Sequence, residues 1–314
     1  MINPLISISI ATYNGEKYLE KQLDSIYAQT YKNIEVVVTD DCSEDNTIEI
    51  LEQYSKMYGL QYSVNEKNLG FVKNFEKAIT LCKGEYIALS DQDDVWETHK
   101  IYTLYQHMKD ALLIHSDALL IDEAGEVIEP SYTQNSHKVL RKNIIEYFFN
   151  NDATGCTMMF SRKLLSTILP VPENVVAHDW WIAIHAKQQG KIIYIPEALV
   201  QYRQHENNQI GAANALKISS HTARVESHQK KLLFLQTLRQ SMEWNKEEKK
   251  ILNDLIYYYQ TYFDMNIRMT AFFIHMKYFK YFHDDKGIIY RLMGLVLSLF
   301  GENVQQKLWG LMNR

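Results

Sequence analysis

Residues 5–47 read LISISIATYNGEKYLEKQLDSIYAQTYKNIEVVVTDDCSEDNT, and the order of patterns inside this stretch decides the fold. Ile6, Ile8 and Ile10 alternate with serines, the period-two signature of a strand over Leu5–Ala11. Asn14-Gly15 breaks that strand. Leu19, Leu23, Ile26 and Tyr27 then recur at helical spacing. Ile34–Thr39 is a short β-branched run of the kind that is buried on both faces of a sheet. Working outward, the pattern predicts a helix over Thr47–Tyr58, a weaker strand over Gln61–Val64 and a helix over Val72–Lys83 ended by Gly84. A strand over Tyr86–Leu89, a helix over Thr98–Lys109 and a strand over Leu112–His115 follow. Strands alternating with helices of this length imply right-handed βαβ units and a mainly parallel sheet, an α/β fold.

Parallel sheets bind ligands at the carboxyl ends of their strands. The polar residues of this half gather there: Thr12-Tyr13-Asn14, Asp40-Asp41, Asn68 and Asp91–Asp94. Loops are polar in any protein, but acids stacked directly after buried strands repel one another unless a cation or ligand relieves them.

Composition narrows the classes. The chain has 314 residues, 46% hydrophobic and 23% charged, which excludes a disordered chain. Its net charge of −5 gives no basic field for nucleic acid. Cys42, Cys82 and Cys156 are odd in number and widely spaced, so neither a disulfide framework nor a zinc knuckle is expected. Reduced thiols fit a cytosolic protein. Met1–Ile10 lacks the basic and apolar regions of a secretory signal, and no apolar run reaches spanning length. The reading is a cytoplasmic location.

Four groups can carry chemistry. Ser90-Asp91-Gln92-Asp93-Asp94 follows an apolar strand, and carboxylates in D-x-D spacing on an extended turn can share one hard divalent cation, magnesium or manganese. The same turn also suits the start of a helix. Asp40 or Asp41 can accept a hydrogen bond from the N3–H of a uracil or thymine ring, or cap the next helix. In His178-Asp179-Trp180-Trp181, an Asp beside large rings is partly desolvated, which suits a general base, and the Trp rings offer a platform to a sugar face. Tyr202-Arg203-Gln204-His205 follows a predicted edge strand, Ile192–Val200.

Read together, residues 9–47 resemble the nucleotide-binding half of the family-2 glycosyltransferases with the GT-A fold. The segments NLGFVKNFEKAI (68–79), LSDQDDVW (89–96), TGCTMMF (154–160), HDWW (178–181) and YRQH (202–205) are similar to a bacterial rhamnosyltransferase-like branch. The resemblance covers about residues 5–210. It implies that Thr12, Tyr13, Asp40 and Asp41 hold base and ribose, that Asn68 and Gly70 line the nucleotide pocket, and that Lys73 lies near phosphate. It implies Asp91 and Asp93 at the D-x-D positions, Asp93 as a direct metal ligand, His205 completing the metal or diphosphate site, and Asp179 as base. It puts Thr154, Gly155, Trp180 and Trp181 on the acceptor side. Cys42 and Glu206 depart from the family pattern, which often has Gly at both places.

The implied activity is an inverting, metal-dependent transfer of a sugar, L-rhamnose from dTDP-rhamnose first, to a growing surface-polysaccharide or lipid-linked acceptor. A UDP-hexose donor and a non-catalytic nucleotide-sugar-binding scaffold are the alternatives. A dehydrogenase would need G-x-G-x-x-G after the first strand, where this chain has Ala11-Thr12-Tyr13-Asn14-Gly15. From about Gly211 the chain turns to long helices: Ala223–Ser241, Lys246–Met265 and a segment from Lys286. Residues 268–314 carry a net charge of +4 against −9 for the rest, with many Phe, Tyr, Leu and Met. The expectation is therefore a catalytic domain over 1–210 and a helical region over 211–314. That region is a candidate for docking at an anionic membrane surface, for a homodimer contact, or for an ordinary cap over the core.

Overall fold

A computed structural model of the chain describes residues 3–135, 140–205, 221–262 and 268–282, together with 288, 291, 292, 294 and 295. The residues group into two units. One comprises Met1–Asn135, Asn151–Glu173 and Ala177–Asn208. The other comprises Ser136–Asn150, Asn174–Val176 and Gln209–Arg314.

The first unit is a nine-stranded sheet. Strands β1 (Ile6–Thr12), β2 (Ile34–Asp40), β3 (Gln61–Val64) and β4 (Tyr86–Ser90) run parallel in the order β3-β2-β1-β4. Helices α1 (Leu19–Tyr27), α2 (Thr47–Tyr58) and α3 (Phe71–Leu81) connect them. β1 is central, and the serines that produce its alternation are buried as fully as its isoleucines. The hydroxyl of Ser7 donates to Glu35 and accepts from the Gly84 N–H, so the second face is polar but not wet.

The sheet continues through β5 (Val95–Trp96), α4 (Lys100–Met108), β6 (Leu113–Ile121), β7 (Val127–Glu129), β8 (Met158–Ser161) and β9 (Ile192–Arg203). β8 is wedged antiparallel between β4 and β6, and β9 pairs parallel with β6. Six strands point one way, and β5, β7 and β8 the other, so the sheet is mainly parallel, as the sequence patterns require. One expectation is corrected. β9 is not an edge strand, because β5 adds to its far side through Val95 and Trp96, opposite Gln201 and Val200.

Register then defines where chemistry can sit. Thr12 lies opposite Asp40, and Ile10 opposite Ser90, so the carboxyl ends of β1, β2 and β4 form one rim. Asn74 of α3 closes it from below. Its amide donates to the carbonyls of Thr12 and Thr39, and the Thr12 carbonyl also accepts from the Asp41 N–H.

The second unit is helical, with Ile144–Phe149, His221–Ser241, Lys246–Thr261 and Arg268–Lys277. Aromatic contacts form its core. Phe148 meets Trp244 edge-on at 5.2 Å, and Phe149 packs with Tyr281 and Phe282 at 5.1 Å. Asn245 starts the helix Lys246–Thr261 with a capping box. Its side chain accepts from the N–H groups of Glu247 and Glu248, and the Glu248 carboxylate accepts from the Asn245 N–H. The expected segment from Lys286 lies largely outside the described residues.

Candidate functional site

The rim begins with two acids that the fold uses differently. The Asp40 carboxylate is fully buried and accepts from the Thr12 hydroxyl at 2.7 Å and from the Ser43 N–H and hydroxyl at 2.8 and 2.6 Å. The Asp41 carboxylate accepts from the Asn65 amide and from the N–H groups of Leu69 and Gly70, each at 2.8 Å. Each has three donors from the chain, and a carboxylate offers about four acceptor sites. Thus Asp40 joins β1 to the loop after β2, while Asp41 shapes the start of α3. Gly70 begins that helix with φ +81°, a conformation that only glycine adopts without strain. Asn68 accepts from the Gly70 N–H at 3.1 Å.

Cys42 follows with φ +65°, which explains in one angle why a glycine would be natural there. The left-handed conformation persists with a thiol, which donates to the Asn65 carbonyl at 2.8 Å.

Tyr13 stands out from this rim, 45% exposed, with its ring available to a planar ligand. Its backbone is clasped by Gln92: Tyr13 N–H donates to Gln92 Oε1 at 2.8 Å, and Gln92 Nε2 donates back to the Tyr13 carbonyl at 3.0 Å. Lys73, on α3, is held by Glu76 at 2.6 Å and by the Val171 carbonyl at 2.5 Å.

The acidic turn lies at the end of β4. Asp94 is fully buried. One of its oxygens accepts from the Arg203 N–H at 3.1 Å, and the other has no hydrogen-bond partner among the described residues. Burial and the charges of Asp93 and Asp91 push its carboxyl well above the ordinary range. Burial, then the charges of Asp93 and Asp179, push Asp91 up to about 7. Beneath the turn, burial lowers the Lys100 ammonium to about 7, against the pull of Asp94 and Asp91. Lys100 donates to the Cys156 carbonyl at 2.5 Å and lies 3.4 Å from the centre of the Trp96 ring.

Asp93 and His205, more than a hundred residues apart, meet at 2.7 Å. Arg203, almost wholly buried, sets this meeting. Its Nε donates to the Asp93 carbonyl and its Nη1 to the carbonyls of Asp122 and Glu123, while the Tyr18 ring lies under the Arg203 guanidinium and meets the His205 ring at a tilt.

Such a turn fits a hard divalent cation. An orphaned buried carboxylate oxygen and two acids driven toward neutrality are what an opposite charge would relieve. Asp91, Asp93 and His205 supply oxygen and imidazole donors of the right kind. Cys156 Sγ also lies within 4.8 Å of Asp91 and Asp94 oxygens, but burial holds it as a neutral thiol, a poor ligand for such a cation.

Asp179 is in the first turn of the helix His178–Gln189. One oxygen accepts from the Gly155 N–H at 3.1 Å and the other from the Trp180 N–H at 2.5 Å. A Cβ on Gly155 would lie 3.3 Å from His178 Nε2 and 3.6 Å from Asp179 Cβ, so a bare glycine lets the 154–157 loop approach. Thr154 accepts at its carbonyl from the Thr157 hydroxyl and N–H. The two tryptophans separate. Trp180 keeps surface, whereas Trp181 is 2% exposed, with its indole N–H on the Ile168 carbonyl and its ring against His185. Trp181 is thus a core residue, and the expected platform reduces to Trp180.

Sequence reasoning missed Asn74, Gln92, Lys100 and Arg203. Asn74 did carry a signal, a buried-face polar residue between Phe71 and Phe75 on the apolar side of α3.

Comparison with known proteins identifies the family and the fold. The profile of the family described as Glycosyl transferase family 2 matches residues 7–169. A dTDP-rhamnosyl transferase of Shigella flexneri, RfbG, is 32% identical over 226 residues, 66% of this chain and 75% of its own length. An uncharacterised glycosyltransferase of Methanocaldococcus jannaschii is 31% identical over 65% of this chain and 72% of its own. Among solved structures, Staphylococcus aureus TarS with UDP-GlcNAc superposes with a TM-score of 0.61 at 18% identity, covering 88% of this chain and 81% of that one. A mannosyltransferase of Pyrobaculum calidifontis with GDP-Man and Mn2+ gives 0.59 at 17%, covering 96% and 82%. At these identities the structural likenesses establish the shared fold.

Proposed function

Because the chain belongs to glycosyltransferase family 2, we propose that it transfers a sugar, with inversion, from a nucleoside diphosphate donor to a saccharide or lipid-linked saccharide acceptor. L-rhamnose from dTDP-rhamnose is the donor we put first, on the strength of the relative that bears that activity in its name. The observation that carries the reading is geometric. The Asp179 carboxylate, from a distant helix, accepts from the Gly155 N–H, and the next residue, Cys156, brings its sulfur within 4.8 Å of Asp91 and Asp94 oxygens. The proposed base and the acidic turn are thus held to the same short loop, and the charge of Asp179 adds to the burial that raises Asp91.

In this reading Tyr13 stacks on the base, and Thr12, Asp40, Asp41, Asn68 and Gly70 form the wall around base and ribose. Lys73 would reach a phosphate only on release from Glu76 and the Val171 carbonyl. Asp91, Asp93 and His205 would hold a divalent cation, which when bound supplies positive charge against the departing diphosphate. Asp179 accepts the proton of an acceptor hydroxyl. That oxygen bonds to the anomeric carbon from the face opposite the diphosphate as the carbon–oxygen bond to phosphate breaks, and the nucleoside diphosphate leaves with the bonding pair. Thr154, Gly155 and Trp180 form the acceptor side.

Thermal stabilisation by dTDP, UDP and GDP, each with and without manganese, tests the donor. A ligand at a hundred times its Kd stabilises the native state by about 2.7 kcal/mol. We expect metal-dependent stabilisation by dTDP that Asp93→Ala loses. Stabilisation by UDP alone would move the donor to a UDP-hexose, and none by any nucleotide would defeat the reading. Asp179→Asn should keep nucleotide stabilisation while transfer falls by about 10²–10⁴, the range of a lost general base. Full transfer by that variant would remove Asp179 from the role.

A further inference from the structure

Lys100 is the first residue of α4 and is wholly buried. Its main chain is tied to the surrounding frame. Its N–H donates to the Glu97 carbonyl, and the next N–H, of Ile101, donates to the Gln29 side chain. From there the side chain runs past the Trp96 ring to the Cys156 carbonyl.

Filling that space does not require an ammonium. A methionine has a stem of similar length and none of the desolvation cost, which here brings the ammonium down to about 7. Nor is Lys100 an ordinary counter-ion. The charges of Asp94 and Asp91 act on it, yet its Nζ donates to a main-chain carbonyl and to neither carboxylate.

That carbonyl is a point of leverage. Cys156 is the middle residue of the buried turn Gly155–Thr157. The Gly155 N–H donates to Asp179 at 3.1 Å, and the Cys156 sulfur comes within 4.8 Å of Asp91 and Asp94 oxygens. The Thr154 carbonyl closes the turn by accepting from the Thr157 N–H and hydroxyl, so the turn moves as one piece. A shift of the Cys156 carbonyl is therefore passed on to the Asp179 carboxylate. A charged donor bonds a carbonyl more strongly than a neutral one, which suits a link that must not slip.

We propose that Lys100 is a positioning residue for sugar transfer. By holding the Cys156 carbonyl it fixes the 154–157 turn, and through the Gly155 N–H it fixes where the Asp179 carboxylate stands relative to the acidic turn. The inference rests on the reading of Asp179 as the base.

Lys100→Met, which keeps the stem and removes the donor, tests it beside Asp179→Asn and the double variant. Lys100→Met should melt at the wild-type temperature or above, because a buried ammonium is gone. It should keep its manganese-dependent stabilisation by whichever of dTDP, UDP and GDP stabilises wild type. Its kcat for transfer should fall about tenfold to a hundredfold, the cost of a misplaced group, with the donor KM within about twofold. In the Asp179→Asn background the same change should cost less than about twofold, because residues that act as one unit are not additive. Amides of residues 154–157 should exchange faster in Lys100→Met. If that variant fails to fold, Lys100→Gln, whose amide falls short of the carbonyl, takes its place. An unchanged kcat, losses that multiply in the double variant, or unchanged exchange in the turn would overturn the proposal. So would loss of nucleotide stabilisation, because Lys100 would then serve the acidic turn itself. A wild type that binds no nucleotide and transfers no sugar would overturn the reading of the site and the proposal together.

Discussion

His178 shows how much a single buried ring can govern. It stacks on Phe75 at 4.1 Å, neither ring nitrogen has a hydrogen-bond partner among the described residues, and burial lowers its pKa to about 3. His185, on the same helix, is lowered to about 4 for the same reason. A folded pKa below the unfolded value of about 6.5 means that the unfolded chain binds more protons between the two. Stability contributed by the neutral ring is present above about pH 6.5 and is lost as the pH falls toward 3. For His178 this amounts to about 5 kcal/mol across the window, at 1.36 kcal/mol per unit. Asp91 and Asp94, raised rather than lowered, act with the opposite sign, but they titrate in wild type and variant alike. Urea unfolding of wild type and His178→Gln at stepped pH should therefore show a steeper acid loss in wild type, by up to about 1.4 kcal/mol per pH unit. Parallel curves would mean that the ring finds a proton or a partner in the native state. At this scale the sequence was partly legible. The D-x-D turn and the Asp40-Asp41 pair stand in plain spacing. The Asp93–His205 contact does not, since it needs Arg203 to bring the end of β9 to the turn after β4.

Elements were legible where a period could express itself. β1, β2, β3 and α1–α3 follow their hydrophobic patterns to within a residue or two at each end. β8 was not, because Met158–Ser161 is only four residues long and buried throughout, leaving no alternation to read. β9 read as an edge because nothing in its own residues announces that Val95 and Trp96 will pair with it. In the helical unit, the capping box on Lys246–Thr261 holds the first turn by three hydrogen bonds, two of them from backbone donors to Asn245 Oδ1. Asn245→Ala should cost about 1 kcal/mol, and up to 2 because Glu248 is buried and loses its orientation with the cap. Chemical denaturation measures this directly. Asn245→Asp, which keeps the acceptor, should recover most of it.

Across the first unit, topology concentrates the candidate site residues on one rim. The strands that point the same way deliver Thr12, Asp40 and Ser90 to the same end of the sheet, and each is followed by a loop of polar residues. If nucleotide binds there, hydrogen exchange with dTDP and manganese should slow in residues 12–16, 40–46, 68–71 and 90–94. The helix Lys246–Thr261 should exchange at an unchanged rate. Protection spread evenly over both units, or absent from the rim, would count against the proposed site. This rim was the most legible feature of all, because it depends only on the order of strands and on which residues come next. Which unit each segment joins was less so: residues 136–150 and 174–176 group with the C-terminal helices, and no single boundary in a linear sequence expresses that.

The Gln92 clasp has one more consequence. By gripping Tyr13 through both its N–H and its carbonyl, Gln92 ties the ring that would meet a nucleobase to the very turn that would meet the phosphates. The two ends of a donor are thereby gauged against one another by a fixed caliper. A sugar nucleotide with one phosphate too few or too many would still find both jaws, yet its anomeric carbon would come to rest out of reach of Asp179.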